Sequence, residues 1–249
     1  MAKHTLLFLG SHPDDETTLA PLLAKAVHDG HDVHIASITS GQKGVRPHYG
    51  VEAGEELGDI RAQEFRCSAR ALGVRQAWLL GYQDQAIAAL DPFWEIIARV
   101  RRLVNDVQPD VIVTFGPDGI TGHIDHRAAS ELATIVFQRR WQLECDPKKL
   151  YYFGFPESVF GGDANPLNRK RDFLLMSDHF ITTIVDCSDV VDEAMKSLDC
   201  HKSQWRPDRV EQLKALYRDT MRGRVYLRLA LTMLPWPARR EHSIFEGLD

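Results

Sequence analysis

The chain lacks several things that would otherwise classify it. Its 249 residues carry no CxxC pair, no long basic run, no glycine-rich GxGxxG behind the first apolar stretch and no low-complexity tract. A formal net charge of −5 without a long basic run argues against binding nucleic-acid backbone or an anionic membrane surface. No apolar run approaches the length needed to span a bilayer. The opening MAKHTLLFLG runs into HPDDE rather than into a small-residue cleavage site, so it is not read as a signal peptide. Four scattered cysteines, Cys67, Cys145, Cys187 and Cys200, suggest no disulfide framework, and a reduced cytoplasmic protein is expected. The missing GxGxxG speaks against a dinucleotide site.

What is present, 44% hydrophobic and 26% charged residues, suits a soluble globular protein. The first half alternates strand and helix patterns. Strands are expected at 5–9, 32–39, 76–80 and 111–115. Helices are expected at 15–29, 55–72, 91–107, with Asp91 as N-cap and Pro92 in first helical position, and from 123 to about 141. Such alternation predicts an α/β fold, Rossmann-like, with a mostly parallel sheet flanked by helices. The second half is less regular: strands at 150–155 and 180–185, a helix at 190–201, and an ambiguous 225–231. The long polar loop at 156–178 is of a kind that covers active sites. One domain over 1–249 is expected, with a core at about 1–140 and a substrate-shaping part at about 141–249.

Ligands of open parallel sheets bind beyond the carboxyl ends of the strands, where strand order reverses. The first strand ends in GSHPDDE and the fourth in GPDGITGHIDH. Those ends are expected to be neighbours, which brings the two most unusual segments together. His12 and Asp15 are three residues apart across a proline-stiffened turn, and His123 and His126 are three apart at a helix start. Two imidazoles and one carboxylate make a three-ligand zinc site with a position left for water. Asp14 and His123 are then spare groups of the types that take a proton from such a water and stabilise an oxyanion. Each segment alone has a plainer reading: acids in a first helical turn complement the macrodipole, and HIDH suits a surface helix start. Their convergence favours a metal site.

These segments resemble the LmbE-like/PIG-L family of zinc-dependent N-acetylglucosaminyl de-N-acetylases. GSHPDDE resembles the family's AHPDDE block, with Ser11 where alanine is common. ELGDIRAQEFRCSARALGV at 56–74, LGYQDQ at 80–85 and PDVIVTFGPDGITGHIDHRAA at 109–129 resemble its other blocks. The resemblance covers 5 to about 135. It implies His12, Asp15 and His126 as Zn2+ ligands and Asp14 as general base. His123 becomes the imidazolium for the oxyanion or leaving amine, and Asp125 the group that orients His123. Arg61 and Asp84 become substrate-binding residues, for the acyl or an acidic group and for sugar hydroxyls respectively. Plainer roles for these two are a surface ion pair and an Asx-turn. His201 to Gln204 resembles a late HxSQ element. The family varies two positions before His123, where this chain has Thr121; the help of a tyrosine there in polarising the amide is absent.

The implied reaction is removal of an acetyl group from an N-acetylglucosaminyl or similar small-molecule amino sugar or glycoside, in an enzyme that assembles as a homo-oligomer (trimer or hexamer). Fe2+ or another divalent metal fits the same ligands, which also describe a non-haem Fe(II) enzyme. A non-catalytic sugar- or nucleotide-binding module with a structural metal is the other alternative.

Overall fold

A computed structural model describes residues 2–44, 52–161 and 174–248. Its described residues form one seven-stranded sheet: β1 (Thr5–Gly10), β2 (Asp32–Thr39), β3 (Gln76–Tyr82), β4 (Val111–Phe115), β5 (Lys149–Phe153), β6 (Thr183–Asp186) and β7 (Arg224–Thr232), in the order β3-β2-β1-β4-β5-β7-β6. The first five are parallel, and β7 runs antiparallel to both β5 and β6. The longer helices are α1 (Ala20–His28), α2 (Glu55–Ala71), α3 (Leu90–Val107), α4 (Ile124–Gln138) and α5 (Pro207–Ala215). The fold is the Rossmann-like α/β arrangement expected.

The apolar runs read as they do because β1 and β4 are central. Leu6, Leu7, Phe8 and Leu9 are all buried, as is every residue of β4, so neither strand shows the alternation of a half-exposed strand. Phe8 pairs with Ile35 of β2 on one side and Val113 of β4 on the other. Strand order reverses at β1, so the ends of β1 and β4 open side by side.

The differences from the expected elements have local causes. The helix expected at 15–29 is split into a 3-10 turn, Asp15–Leu19, and α1. Pro21 has no N–H to bond back to residue 17, so the α-helix begins late. The third helix starts at Leu90 with Ala89 as its cap, which leaves Asp91 inside the first turn rather than capping it. The segment 190–201 is a short helical turn, Val191–Ala194, followed by a 3-10 stretch, Met195–Cys200. The stretch 225–231 is strand β7. The middle of the 156–178 loop lies outside the described residues; the segment returns at Leu174, whose N–H donates to Ile120 O at 2.7 Å.

The cysteines correct an expectation. Cys67 of α2 and Cys200 form a disulfide with Cα atoms 5.7 Å apart, while Cys145 and Cys187 are free. A separation of 133 residues hides this pair in the sequence. It exists because α2 packs against Met195–Cys200. No helix among the described residues is long and apolar enough to cross a membrane.

Candidate metal and catalytic site

The ends of β1 and β4 bring His12, His123 and His126 together, with ring centroids 4.7 to 5.2 Å apart. All three are among the described groups whose donor atoms are close enough to share one ion, and His12, Asp84 and Asp125 form a second such group. Asp15 reaches both predicted imidazole ligands: Oδ1 is 3.3 Å from His126 Nε2 and Oδ2 is 3.8 Å from His12 Nδ1. Asp15 Oδ2 also accepts from the backbone N–H groups of Ser11 and His12 at 2.7 and 2.8 Å, which fixes its rotamer.

Hydrogen bonding sets which nitrogen of each ring is available. His12 Nε2 lies 3.1 Å from Asp125 Oδ2 and 3.2 Å from Asp84 Oδ1, so Nε2 carries a hydrogen and Nδ1 faces Asp15. His126 Nδ1 lies 3.0 Å from Gly119 O, so it donates there and Nε2 faces Asp15. The His126 ring also stacks on Phe115, with centroids 4.1 Å apart and planes 6° from parallel. Two imidazole lone pairs and a carboxylate thus converge, each with its other side anchored, which is how metal-binding histidines are usually held. Nitrogen and oxygen donors without thiolate fit a divalent transition metal in an open, reactive site better than a closed structural one.

The buried charges of these groups balance one another. Burial opposes a charge on His12, yet the bonds to Asp125 and Asp84 and the field of Asp15 push its imidazolium up to about 10. Burial likewise works against the Asp15 carboxylate, but His126 and His12 hold it well below the usual range. Asp84 sits at about 2: burial opposes its ionisation and the bond to His12 outweighs it. Burial, together with His12 and His126, lowers His123 below its ordinary value, so its neutral form is favoured at rest.

Asp14 has a backbone that only strong surroundings maintain. Its φ is 123°, a conformation costing a non-glycine residue about 1–3 kcal/mol. Three contacts hold it. Arg61 donates to Asp14 Oδ1 at 2.9 Å and to Pro13 O at 2.5 Å, while its other terminal nitrogen donates to Gly41 O at 2.9 Å. The Asp14 N–H donates to Glu16 Oε2 at 3.0 Å. Thr17 donates twice to Asp14 O. Burial and the field of Asp15 raise the Asp14 carboxyl above its ordinary value, and Arg61 pulls the other way. Gln85 and Ile120 also have positive φ, so three strained positions border one site.

Arg61 and Asp84, expected to bind substrate, both make contacts within the protein. Arg61 is buried against the loop of Pro13 and Asp14. Asp84 accepts from Lys43 N as well as facing His12. Asp125, expected to orient His123, turns its carboxylate to His12 and to Gln85 N; only its backbone N–H meets His123 Nδ1, at 3.2 Å. That bond makes His123 the N-cap of α4. Sequence reasoning gave no role to Glu16, the third acid of HPDDE. Its other oxygen lies 2.6 Å from Nε2 of His201, both fully buried. The late HKSQ element therefore reaches the site through Glu16, and its Ser203 bonds Glu64 of α2 twice. Thr121 lies 3.5 Å from His126 Nδ1.

Known proteins share both sequence and fold with this chain. A 1D-myo-inositol 2-acetamido-2-deoxy-alpha-D-glucopyranoside deacetylase from Rhodococcus opacus is 28% identical over 82% of this chain and 82% of its own length. The enzyme of that name from a Mycobacterium species is 29% identical over 80% of this chain and 73% of its own. Among solved structures, N,N'-diacetylchitobiose deacetylase from Pyrococcus horikoshii superposes with a TM-score of 0.65 at 21% identity, covering 91% of this chain and 82% of that one. GalB, a 4-carboxy-2-hydroxymuconate hydratase from Pseudomonas putida, superposes at 0.71 with 15% identity, covering 93% of this chain and 98% of that one. These two share the fold, which hosts more than one reaction. A family model matches residues 7–137, more than half of the sequence, and the chain belongs to the PIG-L family, that of GlcNAc-PI de-N-acetylase.

Proposed function

We propose that the protein is a zinc-dependent de-N-acetylase that hydrolyses the acetamide of an N-acetylglucosaminyl compound, with His12, Asp15 and His126 as metal ligands. The observation that carries this reading is the convergence of two anchored imidazoles, one carboxylate and the strained Asp14 at adjacent strand ends. The deacetylase names of the sequence relatives support the reaction class, and the hydratase with the same fold shows why fold alone does not decide it. Bound zinc supplies Lewis acidity and a water of lowered pKa.

The chain's own groups supply the rest. Asp14 accepts the proton of the attacking water at the oxygen that Arg61 leaves free. Its raised pKa makes it a better base than an ordinary aspartate near neutrality. His123, whose Nδ1 accepts from the Asp125 N–H, donates its Nε2–H to the carbonyl oxygen as charge grows there, and protonated Asp14 returns the proton it took to the leaving amine. Asp84 and Asp125 act through His12, by fixing the nitrogen it offers. Arg61 and the pair Glu16–His201 act through Asp14. The same three ligands also suit Fe(II); an acid placed to take a proton from water favours hydrolysis.

Acetate release from a panel of N-acetylglucosaminides, GlcNAc-inositol among them, tests the proposal. Zinc-loaded wild type should release acetate. Asp14→Asn should keep stoichiometric zinc and lose about 10²–10⁴-fold in kcat. Turnover by Asp14→Asn near the wild-type rate removes Asp14 as the base. Oxygen uptake by iron-loaded protein in place of acetate release points to the oxygenase instead.

A further inference from the structure

A cavity of about 130 Å³ opens on one side of the predicted ligands, and Asp15, His126 and Thr121 form its inner wall. Beyond them its lining is apolar: Phe115, Phe153, Phe155, Trp205, Leu213 and Leu216. Of the polar side chains on that lining, Tyr217 donates its hydroxyl to Thr18 O at 2.8 Å and Thr17 donates to Asp14 O at 2.6 Å, while Arg209 gives one of its N–H groups to Gln212 at 3.1 Å. Asp14, Arg61, Asp84 and Lys43 do not line it; Asp84 faces His12 and the Lys43 N–H, and Arg61 holds Asp14.

The predicted ligands therefore have an apolar surface directly beside them. An N-acylated amino sugar has two unlike sides at its amide. The amine side carries hydroxyls, and the acyl side carries hydrocarbon. Hydroxyls placed in the aromatic cavity would lose water without gaining partners. A cavity of this size is also far larger than a methyl group requires. It is comparable to an engineered apolar cavity of about 150 Å³ that holds benzene.

We propose that this cavity is an acyl subsite, and that the preferred substrate carries an apolar acyl group larger than acetyl, up to the size of phenylacetyl. The proposal rests on the amide-hydrolase reading above and narrows its substrate class. The reaction is otherwise unchanged. The amide C–N bond breaks, a C–O bond to the water oxygen forms, and both water protons end on the amine, giving a carboxylate and an ammonium. Phe115, stacked on His126, joins the apolar wall to the predicted ligands. Half-buried Leu213 on α5 lies where a larger side chain would fill the cavity.

The test is a matched series of glucosaminides bearing N-acetyl, N-propionyl, N-butyryl and N-phenylacetyl groups, assayed for free amine with the zinc-loaded full chain. Two added methylenes entering an apolar subsite raise kcat/KM by about tenfold, so N-butyryl should exceed N-acetyl by about that factor. Leu213→Trp should reverse the preference. A calorimetric arm needs no turnover: phenylacetate should bind the zinc-loaded protein at least about tenfold more tightly than acetate. A kcat/KM that stays level or falls from acetyl to butyryl, or equal affinity for the two carboxylates, overturns the acyl subsite and leaves the de-N-acetylase reading standing. Release of amine from no member of the series overturns both.

Discussion

Metal binding at this site should be steeply pH-dependent, and His12 sets the slope. Its Nε2–H is shared between Asp125 and Asp84, while Nδ1 faces Asp15. Those carboxylates push the imidazolium up to about 10. A cation arriving at Nδ1 must displace a proton that is bound throughout the physiological range. At pH 7 that proton lies three units below its pKa, so the apparent association constant for Zn2+ is reduced by about 10³, and each unit of pH recovers about tenfold, or ~1.4 kcal/mol. The sign for stability follows from the same shift. A histidine raised above its unfolded value of 6.5 contributes stability that is fully present below pH 6.5 and is lost as pH rises towards 10. Chelated protein should thus lose stability between pH 6.5 and 10, while zinc-loaded protein, whose His12 holds no such proton, should not. Calorimetric titration with Zn2+ at pH 6, 7 and 8, in buffers of different ionisation enthalpy, measures both affinity and protons released. An affinity flat over that range, with no proton release, would refute the reasoning.

Other perturbations have separate readouts. Asp125→Asn removes one of the carboxylates that hold the His12 imidazolium, so chelated protein should lose stability at pH 6.5 and little at pH 10, read by denaturant unfolding at the two pH values. Gly41→Ala should cut kcat and lower stability by about 1–3 kcal/mol: Gly41 has φ +68°, and a Cβ there would lie 2.3 Å from the Arg61 guanidinium that holds Asp14. Denaturant unfolding and initial rates report the two effects. Far from the site, Lys149 is buried and donates to Glu241 at 2.6 Å and to the Glu246 carbonyl, which pins the C-terminal segment to β5. Lys149→Met leaves Glu241 without its cation and should cost about 3–5 kcal/mol in unfolding experiments, with kcat per folded molecule unchanged.

The sequence made the site's location legible and its wiring much less so. The apolar runs of β1 and β4, with HPDDE and HIDH behind them, were enough to predict neighbouring strand ends, because sheet topology converts alternation along the chain into adjacency in space. His12, Asp15, His123 and His126 meet as that argument requires. Contacts between side chains distant in sequence followed no such rule. Asp125 follows His123 by two residues, and helical geometry turns its carboxylate away to His12. The resemblance gives Arg61 a substrate role, and nothing in a helix that also carries Arg66 and Arg70 marks it as the buried one, enclosed against Asp14. The loop after β2, GQKG at 41–44, carries no apolar pattern, and it is the segment from which Lys43 N–H reaches Asp84. The Glu16–His201 bond and the Cys67–Cys200 disulfide join residues 185 and 133 positions apart, in a half of the chain whose short helical turns give little periodicity to read.

The central claim, hydrolysis of an N-acetylglucosaminyl amide by water at this site, is tested most directly by running the zinc-loaded enzyme on GlcNAc-inositol in ¹⁸O-labelled water and analysing both products by mass spectrometry. The account predicts free glucosaminyl-inositol with one labelled oxygen in each acetate. Unlabelled acetate, or a substrate that keeps its amide while zinc is bound, would contradict it.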